Sequence, residues 1–327
     1  MTIRLISASR RTDIPAFYGR WFMNRARAGF CAVPNPFNNK QISRVEIEPQ
    51  NSLIVFWTRW AAPFLDATDE LQRLGYRFYF QYTLVNYPTD IDPKSPRFDK
   101  AIAAFRQLSD RIGPNRVIWR YDPILLSNVT NHDFHLENFT RIAQLLDGAT
   151  HRVVISIVDP YDKAAGRLSR LGEAKPEFRY RPYEPERDEL LLRQLARIAR
   201  DQGLRIQSCA EDIDLTTVGI DPGKCIDEHL IQQVFGIDAS HKKDKGQRSA
   251  CGCVESRDIG MYDSCLFGCA YCYATRSFAT ARTNHADHDP NSQSLIGHYQ
   301  ASLPKAAAFT STTSAIPTQG DLFGPDV

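Results

Sequence analysis

The stretch Leu53-Ile54-Val55-Phe56-Trp57-Thr58-Arg59 is five apolar residues closed by two polar ones. An apolar run this short, rich in β-branched and aromatic residues, predicts a buried strand. Apolar positions then recur at helical spacing over residues 63–74 and stop at Gly75, as expected where glycine ends a helix. Strand, polar end and glycine-closed helix make one βα unit.

The unit recurs in both directions. Upstream, residues 5–8 predict a strand running into Ser9-Arg10-Arg11-Thr12-Asp13, and Pro15 opens a helix to about residue 28. Residues 30–47 carry Pro34-Asn35-Pro36 between two β-like runs and predict an inserted hairpin. Downstream, strands are expected at 77–84, 116–119, 152–158 and 204–207. Helices are expected at 98–112, 133–146 and 187–201, closed by Gly113, Gly148 and Gly203. This alternation implies an α/β protein with a parallel sheet, and six units in a row suggest a full or partial (β/α) TIM-type barrel.

Polar residues sit just after these strands: Arg10, Arg11 and Asp13; Thr58 and Arg59; Asn86; Arg120 and Asp122; Asp159; Glu211. In a parallel barrel such positions gather on the face that carries active sites. Each taken singly is equally explained as a helix cap or a rim ion pair.

The 327 residues allow one large domain or two small ones, and 43% hydrophobic residues supply a sizeable core. A formal charge of +2 gives no overall electrostatic case for nucleic acid or membrane. The first residues read as entering a strand, so no leader is expected, and no apolar run is long enough to span a bilayer. A cytoplasmic protein with no membrane partner is expected.

Seven of the eight cysteines follow residue 208. Thiols concentrated in a reducing compartment point to metal or redox use rather than structural disulfides. In Cys265-Leu266-Phe267-Gly268-Cys269-Ala270-Tyr271-Cys272, three thiols at spacings of four and three can hold three corners of a cubane iron–sulfur cluster, leaving one iron for another ligand. Zinc stays open, with Cys269 and Cys272 as one half-site and Cys251 and Cys253 as the other.

This loop resembles the CxxxCxxC signature of the radical S-adenosylmethionine (SAM) enzymes, with Tyr271 as the aromatic before the third cysteine. It is also similar to the loop of the spore photoproduct lyase branch. The resemblance implies a [4Fe-4S] cluster on Cys265, Cys269 and Cys272, SAM on the open iron, and Tyr271 against the adenine. Thr58 and Asn86 are further expected cofactor contacts. A flavodoxin or ferredoxin would supply the electron, SAM would cleave to a 5′-deoxyadenosyl radical, and the radical would abstract a substrate hydrogen. In that superfamily the loop follows the first strand, whereas here it follows six units, so a circularly permuted barrel is expected, with a strand near 259–262 beside residues 5–8. The chain to about residue 285 also resembles an uncharacterised bacterial domain-of-unknown-function family.

Three segments follow: barrel units at 1–215, a metal-cluster segment at 216–285, and a polar, disordered tail at 286–327. Cys209, Cys225, Cys251 and Cys253 would hold a second cluster, or zinc, or be inert. Arg10, Arg11 and Arg120 suggest an anionic substrate. Asp122, Asp159 and Glu211 are expected against the SAM ribose or amino group. Phe178-Arg179-Tyr180-Arg181-Pro182-Tyr183 interleaves aromatics with arginines, as single-strand binding surfaces do. Gln319-Gly320-Asp321-Leu322-Phe323 resembles a sliding-clamp docking peptide, and together they point to DNA repair. The competing readings are a redox or structural iron–sulfur protein that does not cleave SAM, and a zinc-stabilised barrel hydrolase using Asp122, Asp159 and Glu211.

Overall fold

A computed structural model describes residues 3–158 and 162–302. In chain order the elements are β1 (Arg4–Ala8), α1 (Ile14–Phe17), α2 (Gly19–Ala28), β2 (Phe30–Asn35), β3 (Asn38–Glu46), β4 (Ser52–Thr58), α3 (Leu65–Arg73), β5 (Arg77–Thr83), α4 (Phe98–Ile112) and β6 (Val117–Ile124). Then come α5 (His132–Leu145), β7 (Arg152–Ile157), α6 (Asp162–Ala174), α7 (Pro185–Asp201), β8 (Arg205–Cys209), β9 (Asp221–Gly223), α8 (Glu228–Phe235), β10 (Arg257–Asp258) and α9 (Phe278–Ala286).

Eight strands form one sheet in the order β10-β1-β4-β5-β6-β7-β8-β9, and every pairing in it is parallel. β2 and β3 pair antiparallel as a separate hairpin. Alternate residues of each strand enter different cores, as the two-residue period requires. Ile6, Ile54, Phe56, Phe80, Trp119 and Ile155 pack in the large core with the helices. Leu5, Leu53, Val55, Tyr79, Ile118 and Val154 pack with Ile226, Leu230, Ile231 and Val254. A parallel sheet buried on both faces reads as continuous apolar runs, which is why 53–57 is apolar throughout.

The expected barrel is corrected here. The sheet ends at β9, with three residues, and at β10, with two, and no pairing joins them among the described residues. The second face is covered instead by the segment 225–254, including α8. The fold is mixed α/β with an eight-stranded parallel sheet, neither a closed barrel nor a permuted one with a cluster segment at its end.

β10 is held by one side chain. Asp258 accepts hydrogen bonds from Ser7 Oγ (2.5 Å), Ser9 Oγ (2.7 Å) and the backbone N–H groups of Arg10 and Gly260 (each 2.9 Å). The strand pairs through Arg257 and Asp258 with Ile6 and Ser7, just before the expected 259–262. The last helix is set by a second aspartate. Asp263 Oδ1 accepts the N–H groups of Arg276 (2.5 Å) and Ser277 (2.9 Å), and Ser277 then caps α9 at Thr280 N. Residues 287–302 lie against α2 and β2, with Trp21 Nε1 donating to Ser292 O at 3.0 Å and Ala32 N to Gln293 O at 2.9 Å.

Candidate functional site

The C-terminal ends of β1, β4, β6, β7 and β8 meet the 225–254 cover along one rim. At the end of β8, Cys209 is partly exposed, and its Sγ lies 3.1 Å from that of buried Cys225. Cys225 is seated through its carbonyl, which accepts from Tyr79 Oη (2.7 Å) and Gln81 Nε2 (2.8 Å). Arg120 on β6 donates from Nη1 to Cys225 Sγ (2.7 Å) and from Nε to Asp122 Oδ2 (2.9 Å). Asp122 accepts Ser156 Oγ from β7 on its other oxygen. Cys253 Sγ accepts Ile226 N at 3.4 Å and adjoins both Cys225 and Cys251, with Arg10 beside it.

The electrostatics split the thiols. The hydrogen bond from Cys225 lowers the pKa of Cys209 against burial, with help from the Arg120 guanidinium. The same bond, with one to Cys253 and with burial, raises Cys225. Hydrogen bonds from Cys225 and Cys251 lower Cys253, where Arg10 adds to the effect, while Cys251 is raised. Glu211, two residues beyond Cys209, accepts Ile157 N at 2.9 Å, and burial pushes it up to about 7.

Asp13 and Thr58 belong to a different arrangement. Asp13 caps α1 at Ala16 N (2.9 Å) and accepts Thr58 Oγ1 (2.8 Å) and Arg59 N (2.6 Å). Burial pushes it up to about 7. Arg59 reaches Cys269 Sγ (3.2 Å), Tyr271 Oη (2.5 Å) and Asp92 Oδ2 (2.5 Å), and Tyr271 Oη also donates to Asp92 (2.8 Å). Arg11 lies over the Tyr262 ring at 5.0 Å. Asn86 Nδ2 donates to Asn138 Oδ1 (3.0 Å) on α5. Asp159 lies outside the described residues.

Sequence reasoning missed Asp92 and Ser156. Asp92 follows the end of β5 by nine residues, so no strand-end rule reaches it. Ser156 was legible only from alternation, being two residues beyond Val154 on the covered face of β7.

The metal and SAM reading is corrected. Among the described residues no group of three or more His, Cys, Asp or Glu side chains is arranged to hold a metal ion. In the cysteine loop, Cys269 Sγ is taken up by the Arg59 guanidinium instead. This overturns the [4Fe-4S] cluster on Cys265, Cys269 and Cys272 and the second cluster or zinc on Cys209, Cys225, Cys251 and Cys253. The radical-SAM resemblance, SAM itself, the flavodoxin or ferredoxin donor, the iron–sulfur alternatives and the zinc hydrolase fall with it. So does the nucleic-acid substrate, which leaned on the same loop. In the 178–183 stretch Phe178 is buried, and Arg181 is committed to Asp188 by two hydrogen bonds of 2.7 Å. The clamp peptide at Gln319 to Phe323 lies outside the described residues, and no observation supports that partner.

The family described as a domain of unknown function (DUF1848) matches residues 5–274. The chain belongs to the DUF1848 family. No curated protein matches it. The DUF1848 span takes in all but the first residue of the sheet and every clustered cysteine, and it stops short of α9. Among the described residues of this DUF1848 chain, no helix is long and apolar enough to cross a membrane.

Proposed function

We propose that this protein carries out thiol–disulfide chemistry at its strand-end rim, with Cys209 and Cys225 as the working pair. The observation that supports this is the 3.1 Å sulfur contact at the end of β8, between a partly exposed thiol and a buried one. Cys209 attacks one sulfur of a substrate disulfide. A Cys209–substrate bond forms, the substrate S–S bond breaks, and the first thiolate leaves. Cys225 then attacks Cys209 Sγ, the mixed disulfide breaks, and the second thiolate leaves. Two electrons pass to the substrate and the protein keeps a Cys209–Cys225 disulfide. Arg120 sets a positive charge beside Cys225 as it loses its proton, and Asp122 and Ser156 hold Arg120 there. Glu211, protonated up to about pH 7, is the proposed proton source for the leaving thiolate. A transient dithiol of this kind suits a reducing compartment, so we place the protein in the cytoplasm.

The test is trapping with glutathione disulfide. Cys225→Ser should accumulate glutathione on Cys209, whereas wild type should release it and gain an internal disulfide. Glutathione on some other cysteine of the variant, or none on the folded variant while the unfolded one reacts fully, would refute the assignment.

A further inference from the structure

At the opposite rim, the N-terminal ends of β6, β7 and β8 and one side of α8 enclose a cleft of about 270 Å³. Ile118, Leu230 and Val234 supply the apolar part of its lining, Asn115 and Gln233 add neutral polar groups, and Arg152 and Arg205 bring positive charge to it. Arg152 and Arg205 are register partners on adjacent parallel strands. Register partners leave the same face of a sheet, here the face covered by α8. Like charges at paired positions repel each other.

One carboxylate answers the two guanidinium groups. Arg152 Nη1 donates to Asp227 Oδ2 at 2.7 Å, while Asp227 Oδ1 is occupied with the N–H groups of His229 (2.9 Å) and Leu230 (3.3 Å) at the start of α8. Among the described residues the Arg205 side chain makes no hydrogen bond or ion pair with a protein group. The cleft therefore joins an uncompensated cation to a mixed lining, apolar at Leu230, Val234 and the edge of Ile118 and polar at Asn115 and Gln233. Its volume matches roughly nine waters at ~30 Å³ each, the bulk of a small aromatic or short aliphatic acid.

We infer that this cleft binds a small monocarboxylate with a short hydrocarbon body, its carboxylate on Arg205 and its body against Ile118, Leu230 and Val234. A planar guanidinium offers paired donors to a carboxylate, and small-molecule sites combine an apolar lining with few polar anchors. The site is separate from the thiol rim and does not depend on it.

Benzoate is the probe, titrated into the full chain by calorimetry. Saturable one-site binding is expected, weakened about tenfold in Arg205→Gln through loss of a charged hydrogen bond. Arg205 is exposed, so the variant should keep the wild-type melting temperature, and that is checked on the same sample. No saturable binding, or equal binding by the variant, would overturn the inference. Benzyl alcohol binding as tightly as benzoate would remove the carboxylate's role. Inorganic phosphate binding more tightly than benzoate would remove the hydrocarbon's role.

Discussion

Glu211 shows how one side chain couples the rim to pH. Burial raises its folded pKa from 4.5 to about 7. The folded state then holds a proton that the unfolded chain gives up, so this contribution is full below about pH 4.5 and is lost as pH rises towards 7. Asp13 acts in the same direction from 3.8 to about 7. Denaturant midpoints measured from pH 4.5 to 7 should therefore fall more steeply for wild type than for Glu211→Gln. Equal slopes would place the Glu211 carboxyl in water. The position of such residues after strands was legible in the sequence. Their partners were not: Asp13, Thr58 and the Arg59 backbone satisfy one another, and nothing in the local pattern separates such a cap from a catalytic group.

The strands from β1 to β8 and most helices were legible at the level of elements, because short apolar runs and glycine stops are local signals. Barrel closure was not. It depends on whether the last strands pair, and β9 and β10 are too short to leave a periodic signature. α6 sits in a charged stretch between the expected strand at 152–158 and the expected helix at 187–201, where no element was expected. The seat of β10 is tight. Any Cβ at Gly260 would overlap the Ser9 side chain, which is bonded to Asp258. Gly260→Ala should cost about 1–3 kcal/mol by overpacking, read as a lower urea midpoint with an unchanged slope. An unaffected midpoint would mean that β10 is not held as described.

In the molecule as a whole, the described part of the chain from residue 256 to residue 302 is tied to the rest by buried polar contacts. Arg59, Asp92 and Tyr271 join the end of β4, the loop before α4 and the cysteine loop, and the Asp92 side chain is fully buried. Removing one partner of a buried pair leaves an uncompensated charge, so Arg59→Met should cost about 3–5 kcal/mol. A loss below about 1 kcal/mol in urea unfolding would show that water reaches Asp92. The meeting of Cys209 with Cys225 is also a whole-molecule property. The cysteine spacing drew attention to 265–272, but the sulfur contact forms elsewhere, because β9 and the turn after it bring residue 225 back to the end of β8. The most direct test is to equilibrate the native full-length protein with graded ratios of reduced and oxidised glutathione and map disulfides by peptide mass. The account predicts one bond, Cys209–Cys225, formed reversibly with loss of two free thiols. Both thiols staying free at every ratio, or becoming titratable only after a chelator strips a bound ion, would contradict it.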